Sequence, residues 1–367
     1  MTLTRRTALV AAGGALALPW VRPSWAQARR VNVYNWTDYI GETTIADFER
    51  ETGIAVTYDL YASAEEMQAK MLVGQTGYDV VLQAGVSMPR MVAAGVFQKL
   101  DRARLTGWEN LDPDILRILE GFDPGIAYSV PYMWGSVGFA YNVTMVRERL
   151  PDADLESLDT IFLPENAAKL ADCGISILDS PDDIMASVLK WLGLDPDTAG
   201  AAEYKLAADA FAEIRQYIAV FDNSNFLSGL PNGELCVANS WSGDYRTAKS
   251  RAAEAGIDID LAYYVPRTGA PTWFDVWCMP ADARNVDPAY EFINYLLRPE
   301  VIAACTDYTG YGNANKAATA LVDPDIANDP AVYPDDAVLA RMYTPKTPTE
   351  EQEREMLRAW QMVKSGG

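Results

Sequence analysis

From residue 31 onward the hydrophobic period of this chain switches repeatedly between two and 3.6, and that alternation restricts its fold more than any other feature. Residues 31–34 alternate, with Val31 and Val33 to one side and Asn32 and Tyr34 to the other. The strand then breaks into a polar loop holding Trp36, Thr37, Asp38 and Tyr39, and a helix pattern follows over 43–52 with Ile45, Phe48 and Thr52 on one stripe. Residues 54–58 read as a second strand, opened by Gly53 at the helix end, and Ser63 caps a second helix with Glu65 and Glu66 in its first turn. Residues 78–82 form a third strand. A βαβαβ run of this kind implies a parallel sheet with right-handed crossovers. Ligands of such sheets sit outside the carboxyl ends of the strands, which is where Trp36, Asp38 and Tyr39 fall. The plainer alternative is that Trp36 and Tyr39 only roof the edge of a core.

The same rhythm continues. Helices are predicted over 88–94, 113–119, 143–150, 180–192, 201–217, 289–297, 299–306 and 350–363. Strands are predicted over 128–134 and 137–142, interrupted by Gly135, then over 175–178 and 235–240. Two more, over 259–265 and 274–279, read as strands returning to the first half. The expected architecture is α/β with two lobes and a cleft between them. Lobe 1 comprises residues 30–135 plus 263–312, and lobe 2 residues 136–262 plus 313–364. A length of 367 residues fits two such units.

Residues 1–26 read as an export signal, with Arg5-Arg6, a mostly small and apolar run from Thr7 to Trp20, and a small-x-small end at Ser24-Trp25-Ala26. Its twin arginines suit the Tat route, but the Phe usual after the variable position is absent, and Sec stays open. The apolar run is shorter than the ~20 residues of a membrane span. The mature chain is therefore expected to be soluble outside a bacterial cytoplasm, a compartment that permits disulfides. The four cysteines, Cys173, Cys236, Cys278 and Cys305, allow three pairings or four small buried thiols.

The formal net charge is −21, and losing the three arginines of the signal takes the mature chain to about −24. So acidic a surface disfavours nucleic acid and anionic membranes and attracts cations, although it also simply aids solubility. With no histidine in the chain, Ser-His-Asp and Cys-His catalysis and histidine-ligated zinc are excluded in their usual forms. No phosphate-binding glycine loop or Cys-x-x-Cys is present, so no metal or other cofactor is expected. Asp112-Pro113-Asp114 and Asp195-Pro196-Asp197 hint at calcium but suit helix starts and turns better.

Three loops share one composition: Trp36-Thr37-Asp38-Tyr39, Trp241-Ser242-Gly243-Asp244 and Trp273-Phe274-Asp275. Each sets an aromatic beside a carboxylate at a predicted strand end, and Tyr311 with Asn313 offers a fourth. Aromatic faces attract cations, carboxylates accept charge-assisted hydrogen bonds from ammonium groups, and alkyl chains pack on rings. A diamine with a methylene tether uses all three. A buried ammonium needs a counter-ion, so at least one Asp per amine is required. A ligand carboxylate would want Arg or Lys, and none lies in these loops, though Arg246 follows the second.

From about residue 30 to its end the chain resembles the spermidine/putrescine-binding proteins of polyamine ABC transporters, the putrescine-binding branch above all. The residues carrying the resemblance are Tyr34-Asn35-Trp36-Thr37-Asp38-Tyr39-Ile40, Phe48-Glu49 through Glu51-Thr52-Gly53-Ile54, Gly95-Val96-Phe97-Gln98 and Pro131-Tyr132-Met133-Trp134-Gly135. It continues in Asn232-Gly233-Glu234-Leu235-Cys236-Val237-Ala238, Phe274-Asp275-Val276 and Asn313-Ala314-Asn315-Lys316-Ala317-Ala318. The resemblance implies a two-lobed periplasmic-binding-protein fold of type II, not an enzyme, that closes about a hinge and hands its ligand to a membrane ABC permease; a monomer is expected. It implies that Trp36, Tyr39, Trp241, Trp273 and Tyr311 box the methylene chain and that Asp244 and Asp275 bind one ammonium. Thr37 and Asp38 would contact the ligand near an amine. Asp183, of the pair Asp182-Asp183, would reach the other amine, often through water, and is shorter than the Glu the family leads one to expect. Asn223, with Ser224, also matches. Ala84 stands where a Ser is expected, which removes a hydroxyl and leaves the preferred diamine length open. The resemblance also implies a Cys173–Cys236 disulfide. Putrescine is the first-choice ligand. Cadaverine, agmatine, spermidine, an amino acid, an opine or a sugar remain alternatives for the same fold, and paired acids beside tryptophans also describe an exported glycoside hydrolase.

Overall fold

The computed structural model describes residues 29–366. The expected export signal lies outside the described residues. Ten strands run in chain order: β1 (Arg30–Trp36), β2 (Ala55–Tyr61), β3 (Val80–Ala84), β4 (Ser129–Asn142), β5 (Ile175–Ile177), β6 (Ile218–Phe221), β7 (Val237–Trp241), β8 (Leu261–Tyr264), β9 (Thr272–Cys278) and β10 (Gly312–Asn313). Helices separate most of them, as the alternating periods require. Gly53 ends the first helix at φ 67°, and the Ser63 side chain accepts the Glu66 amide to start the second.

The strands divide between two sheets that share β4. In the first lobe, β2, β1 and β3 are parallel neighbours, and β9 lies antiparallel between β3 and the first half of β4. In the second lobe, β7, β5 and β6 run parallel, while β7 and β8 flank the second half of β4 antiparallel. Each sheet is covered on both faces by apolar clusters. Val33, Leu82, Trp277 and Phe292 anchor one face of the first sheet, and Val81, Met88 and Val276 the other. Ile175, Ile177, Phe211 and Trp360 do the same in the second lobe, opposite Ala140, Leu178 and Ala238. The fold is thus the two-lobed α/β arrangement of a type II binding protein, with β4 as its common strand and with both sheets mixed, because β4, β8 and β9 pair antiparallel.

Three expectations need correction. The break at Gly135 does not occur: β4 is one strand of 14 residues crossing from lobe to lobe. Glycine is there for another reason, because a Cβ would lie 2.5 Å from the Trp273 ring. Next, Tyr263 and Tyr264 do not return to the first lobe, since β8 pairs Tyr264 with Phe139 and Leu261 with Asn142; the return begins at Thr272. Finally, residues 313–332 stay with the first lobe, where Ala314, Ala318, Val322, Ile326 and Val332 join its core. The chain reaches the second lobe again with the helix Glu350–Ser365, through Met356, Trp360 and Val363.

The crossings run side by side. Val137 N donates to Pro271 O (3.1 Å), Thr272 N to Tyr343 O (2.8 Å) and Tyr343 N to Ala270 O (3.2 Å). Few residues therefore need to rotate for one lobe to move against the other. In the second lobe a Cys173–Cys236 disulfide, Cα–Cα 5.4 Å, ties the loop before β5 to the start of β7. Cys278 and Cys305 are buried and free.

Candidate ligand-binding site

The aromatic loops converge where β4 changes lobes. Tyr39 is 6% and Tyr311 7% exposed, and both belong to the first-lobe core cluster against which Trp36, Trp241 and Trp273 pack. Trp241 and Trp273 also pack against a core cluster of the second lobe, so these two indoles straddle the lobes. Three of the rings touch: Tyr39–Tyr311 centroids are 5.4 Å apart, Trp273–Tyr311 5.0 Å and Tyr39–Trp273 6.4 Å, in edge or tilted geometry. Trp36 leans on Tyr61 at 4.4 Å. The sharp turn after β1 is made by Asp38 at φ 54°, a left-handed conformation that Asp tolerates better than most side chains.

Two glycines permit close approaches at the junction. At Gly243 a Cβ would lie 2.5 Å from three atoms of the Tyr311 ring, and at Gly135 the same distance from Trp273. Tyr311 comes from the first lobe and Gly243 from the second. The contact places Tyr311 Oη so that it donates to Asp244 Oδ1 at 2.8 Å across the junction. Asp244 lies in the first turn of the helix Ser242–Glu254, where the backbone dipole favours an anion. Burial outweighs that: it pushes the carboxyl up to about 6, with Asp38 adding repulsion and the Tyr311 hydroxyl and Arg251 opposing.

Asp275 is more enclosed, at 7% exposure. It stands on β9 opposite Ala84 of β3, so the methyl of Ala84 leaves that flank of the carboxyl without a hydroxyl donor. Burial pushes Asp275 up to about 7, the nearby Tyr39 hydroxyl pulls it down, and Asp183 in the other lobe raises it further. Tyr39 Oη is fully enclosed and forms no well-aligned hydrogen bond. Among the ion pairs of the described residues, none involves Asp38, Asp183, Asp244 or Asp275. The basic side chain nearest the second loop, Arg246, turns instead to Asp329 at 3.4 Å.

The other expected residues are spread more widely. Thr37 and Asp38 are exposed on the loop after β1. Asp183, in the first turn of the helix Pro181–Trp191, is half-buried and accepts from Trp241 Nε1 at 2.9 Å, while Asp182 beside it is exposed. Asn223 is exposed and donates to the Asp179 carbonyl at 3.4 Å. Asn313 is internal, donating to Thr306 Oγ1 at 2.9 Å and accepting from the Asn315 amide. Four further residues shape the site: Tyr61 against Trp36, Tyr132 edge-on to Tyr39 at 5.6 Å, Gly243 beneath Tyr311, and Ser180 on Asp183. Tyr132 and Gly243 lie in runs noted above, Pro131-Tyr132-Met133-Trp134-Gly135 and Trp241-Ser242-Gly243-Asp244, though neither run shows the contact made. The others depend on tertiary approach.

A hinged pair of lobes, with rings from both and buried acids that have no basic partner, is the construction of a receptor for a small cationic solute. Comparison with known proteins agrees. Residues 43–334 match the bacterial extracellular solute-binding proteins. The putrescine-binding periplasmic protein PotF of Escherichia coli (strain K12) is 42% identical over 355 residues, covering 96% of each chain. The putrescine-binding periplasmic protein SpuD of Pseudomonas aeruginosa (strain UCBPP-PA14) is 44% identical over 343 residues, covering 93% of each. Among solved structures, the spermidine/putrescine ABC transporter substrate-binding protein PotD of Streptococcus pneumoniae superposes with a TM-score of 0.77 at 25% identity, covering 92% of this chain and 99% of that one. The chain belongs to the bacterial extracellular solute-binding proteins and, within them, to the polyamine-binding substrate-binding proteins of ABC transporters. No helix among the described residues is long and apolar enough to cross a membrane.

Proposed function

We propose that this protein binds a short aliphatic diamine, putrescine first among them, in the cleft beside β4, and delivers it in the periplasm to the membrane permease of an ABC transporter. The observation that carries the reading is the pair Asp244 and Asp275, set among aromatic rings and, among the described residues, in no ion pair. Isolated buried charges are unfavourable by several kcal/mol each, so such a site is complete only when a ligand brings the opposite charge. A dication matches two carboxylates in number. Trp36, Tyr39, Trp241, Trp273 and Tyr311 provide faces for the methylenes and for cation–π attraction, at about 0.5–2 kcal/mol per ring. Asp38, whose charge is felt at Asp244, adds negative potential at the mouth. The names of the two putrescine-binding relatives support the choice of ligand. A neutral sugar would leave both acids uncompensated, which disfavours the glycosidase alternative.

The test is calorimetric titration of the mature protein with putrescine, cadaverine, agmatine and spermidine. A diamine should bind with 1:1 stoichiometry and raise the melting temperature. Absence of heat and of any thermal shift with all four removes the proposal.

A further inference from the structure

We infer that Asp183 is a positioning residue. It fixes the indole of Trp241 across the cleft, and through that ring sets the length of diamine admitted, instead of acting as the counter-ion of an ammonium group. This inference rests on the receptor reading above. Asp183 Oδ2 accepts from two donors, Ser180 Oγ at 2.9 Å and Trp241 Nε1 at 2.9 Å. The three residues come from two elements. Ser180 and Asp183 stand at the start of the helix Pro181–Trp191, and Trp241 closes β7. An indole N–H is a donor only, and a half-enclosed ring is held in one orientation when that donor finds a fixed charged acceptor.

The contrast within the site supports the assignment. Trp273, the other indole that packs against both lobes, has an enclosed Nε1 with no partner, and Asp275 beside it forms no hydrogen bond to any indole. Asp244 meets one tyrosine hydroxyl. Only Asp183 commits one oxygen to two donors of its own lobe. Burial raises the Asp183 pKa, and those two bonds work against it by favouring the charged form, so its Oδ2 has two donors before any ligand arrives. Trp241 packs on the cores of both lobes, so a small rotation of its ring lengthens or shortens the space along the cleft.

The experiment measures Kd for putrescine and cadaverine by calorimetry in wild type, Asp183→Asn, Asp183→Ala, Trp241→Phe and the double variant Asp183→Ala/Trp241→Phe. Asparagine keeps an oxygen that accepts from Trp241 and Ser180 but carries no charge. The expected result is that Asp183→Asn stays within about threefold of wild type and keeps its ratio of putrescine to cadaverine affinity. Asp183→Ala and Trp241→Phe should each lose roughly ten- to a hundredfold and flatten that ratio, and the double variant should be no worse than either single. A loss in Asp183→Asn equal to that in Asp183→Ala overturns the inference and makes Asp183 a counter-ion. Wild-type affinity and ratio in Asp183→Ala also overturn it. Trp241→Phe, which leaves Asp183 and Ser180 in place, keeps the test informative should Asp183→Ala fold poorly. A wild-type protein that binds no diamine removes the receptor reading, and this inference with it; binding by wild type with equal damage in Asn and Ala removes the inference alone.

Discussion

Replacing Asp275 by Asn should make the empty protein more stable and the ligand-binding protein useless. The side chain is 7% exposed, and burial raises its pKa from the ordinary 3.8 to about 7. A gap of about three pH units, at 1.36 kcal/mol per unit, corresponds to roughly 4 kcal/mol by which the charged carboxylate disfavours the folded form. The sign follows from the direction. A carboxyl whose folded pKa is raised holds its proton in the folded state after the unfolded chain has lost it. The penalty is absent below about pH 4, grows between about 4 and 7, and is complete above 7. Asn has the same shape and carries no charge. At pH 8 it should raise the melting temperature of the ligand-free protein by roughly 4–8 °C, taking about 2 °C per kcal/mol for a chain of this size. At pH 4 wild type and variant should melt together.

Under the proposed function, the same substitution removes one of the two carboxylates that neutralise a dication. Loss of one partner from an enclosed ion pair disfavours binding by about 3–5 kcal/mol, a factor of several hundred to several thousand in Kd for putrescine. Scanning calorimetry at pH 4 and pH 8, with titration at pH 8, measures both effects. A variant that melts no higher than wild type at pH 8 refutes the claim that an uncompensated charge strains the empty site. One that binds putrescine as tightly as wild type refutes Asp275 as a counter-ion.

Diamine affinity should fall on acidification, since Asp275 near 7 and Asp244 near 6 must both lose protons before they neutralise ammonium groups. Between pH 8 and pH 5 Kd should rise by roughly 10²–10³, with protons released on binding, readable from titrations in buffers of different ionisation enthalpy; a flat profile contradicts it. Gly243→Ala puts a methyl within 2.5 Å of the Tyr311 ring and should weaken binding tenfold or more while the second lobe stays folded by circular dichroism. Ala84→Ser places a hydroxyl opposite Asp275 and should lower that carboxyl's pKa, shifting the acid limb of the affinity profile downward. Replacing Cys173 and Cys236 together by Ala, at a sequence separation of 63, should destabilise the second lobe by about 4 kcal/mol in urea unfolding without changing putrescine affinity by more than a few-fold.

The parts of this architecture legible in the sequence are those set by local pattern. The helix Pro113–Leu119 begins at its proline, and the Ser63 cap forms as its position predicts. The aromatic-acid groups are readable because each sits at a strand boundary, two at the ends of β1 and β7 and the third at the start of β9. What failed was partnership. The pattern of residues 259–265 announces a strand and says nothing of which edge will take it, and β8 joined the second-lobe half of β4. Gly135 looked like a break because glycine weakens strands, yet it serves a ring from β9 that local sequence cannot reveal. Asn223 has the right neighbours in sequence, but its amide turns to the Asp179 carbonyl.

The division of the site between lobes bears on how selectivity arises. Tyr311 of the first lobe bonds Asp244 of the second, and Asp183 of the second lobe raises Asp275 of the first. Bringing the lobes together therefore brings negative charges together in a space that excludes water. Under the proposed function, a dication reverses that repulsion, so binding and closure share one free energy. A neutral molecule of the same length would fill the rings equally well and still leave two carboxylates unpaired. Exclusion of such molecules then rests on what the acids lose and only secondarily on what the rings gain. A four-carbon diol should accordingly bind at least a thousandfold more weakly than the diamine at pH 8. That ratio should shrink toward pH 5, where protonated acids no longer penalise an uncharged guest. Equal ratios at the two pH values would mean that selectivity comes from attraction alone.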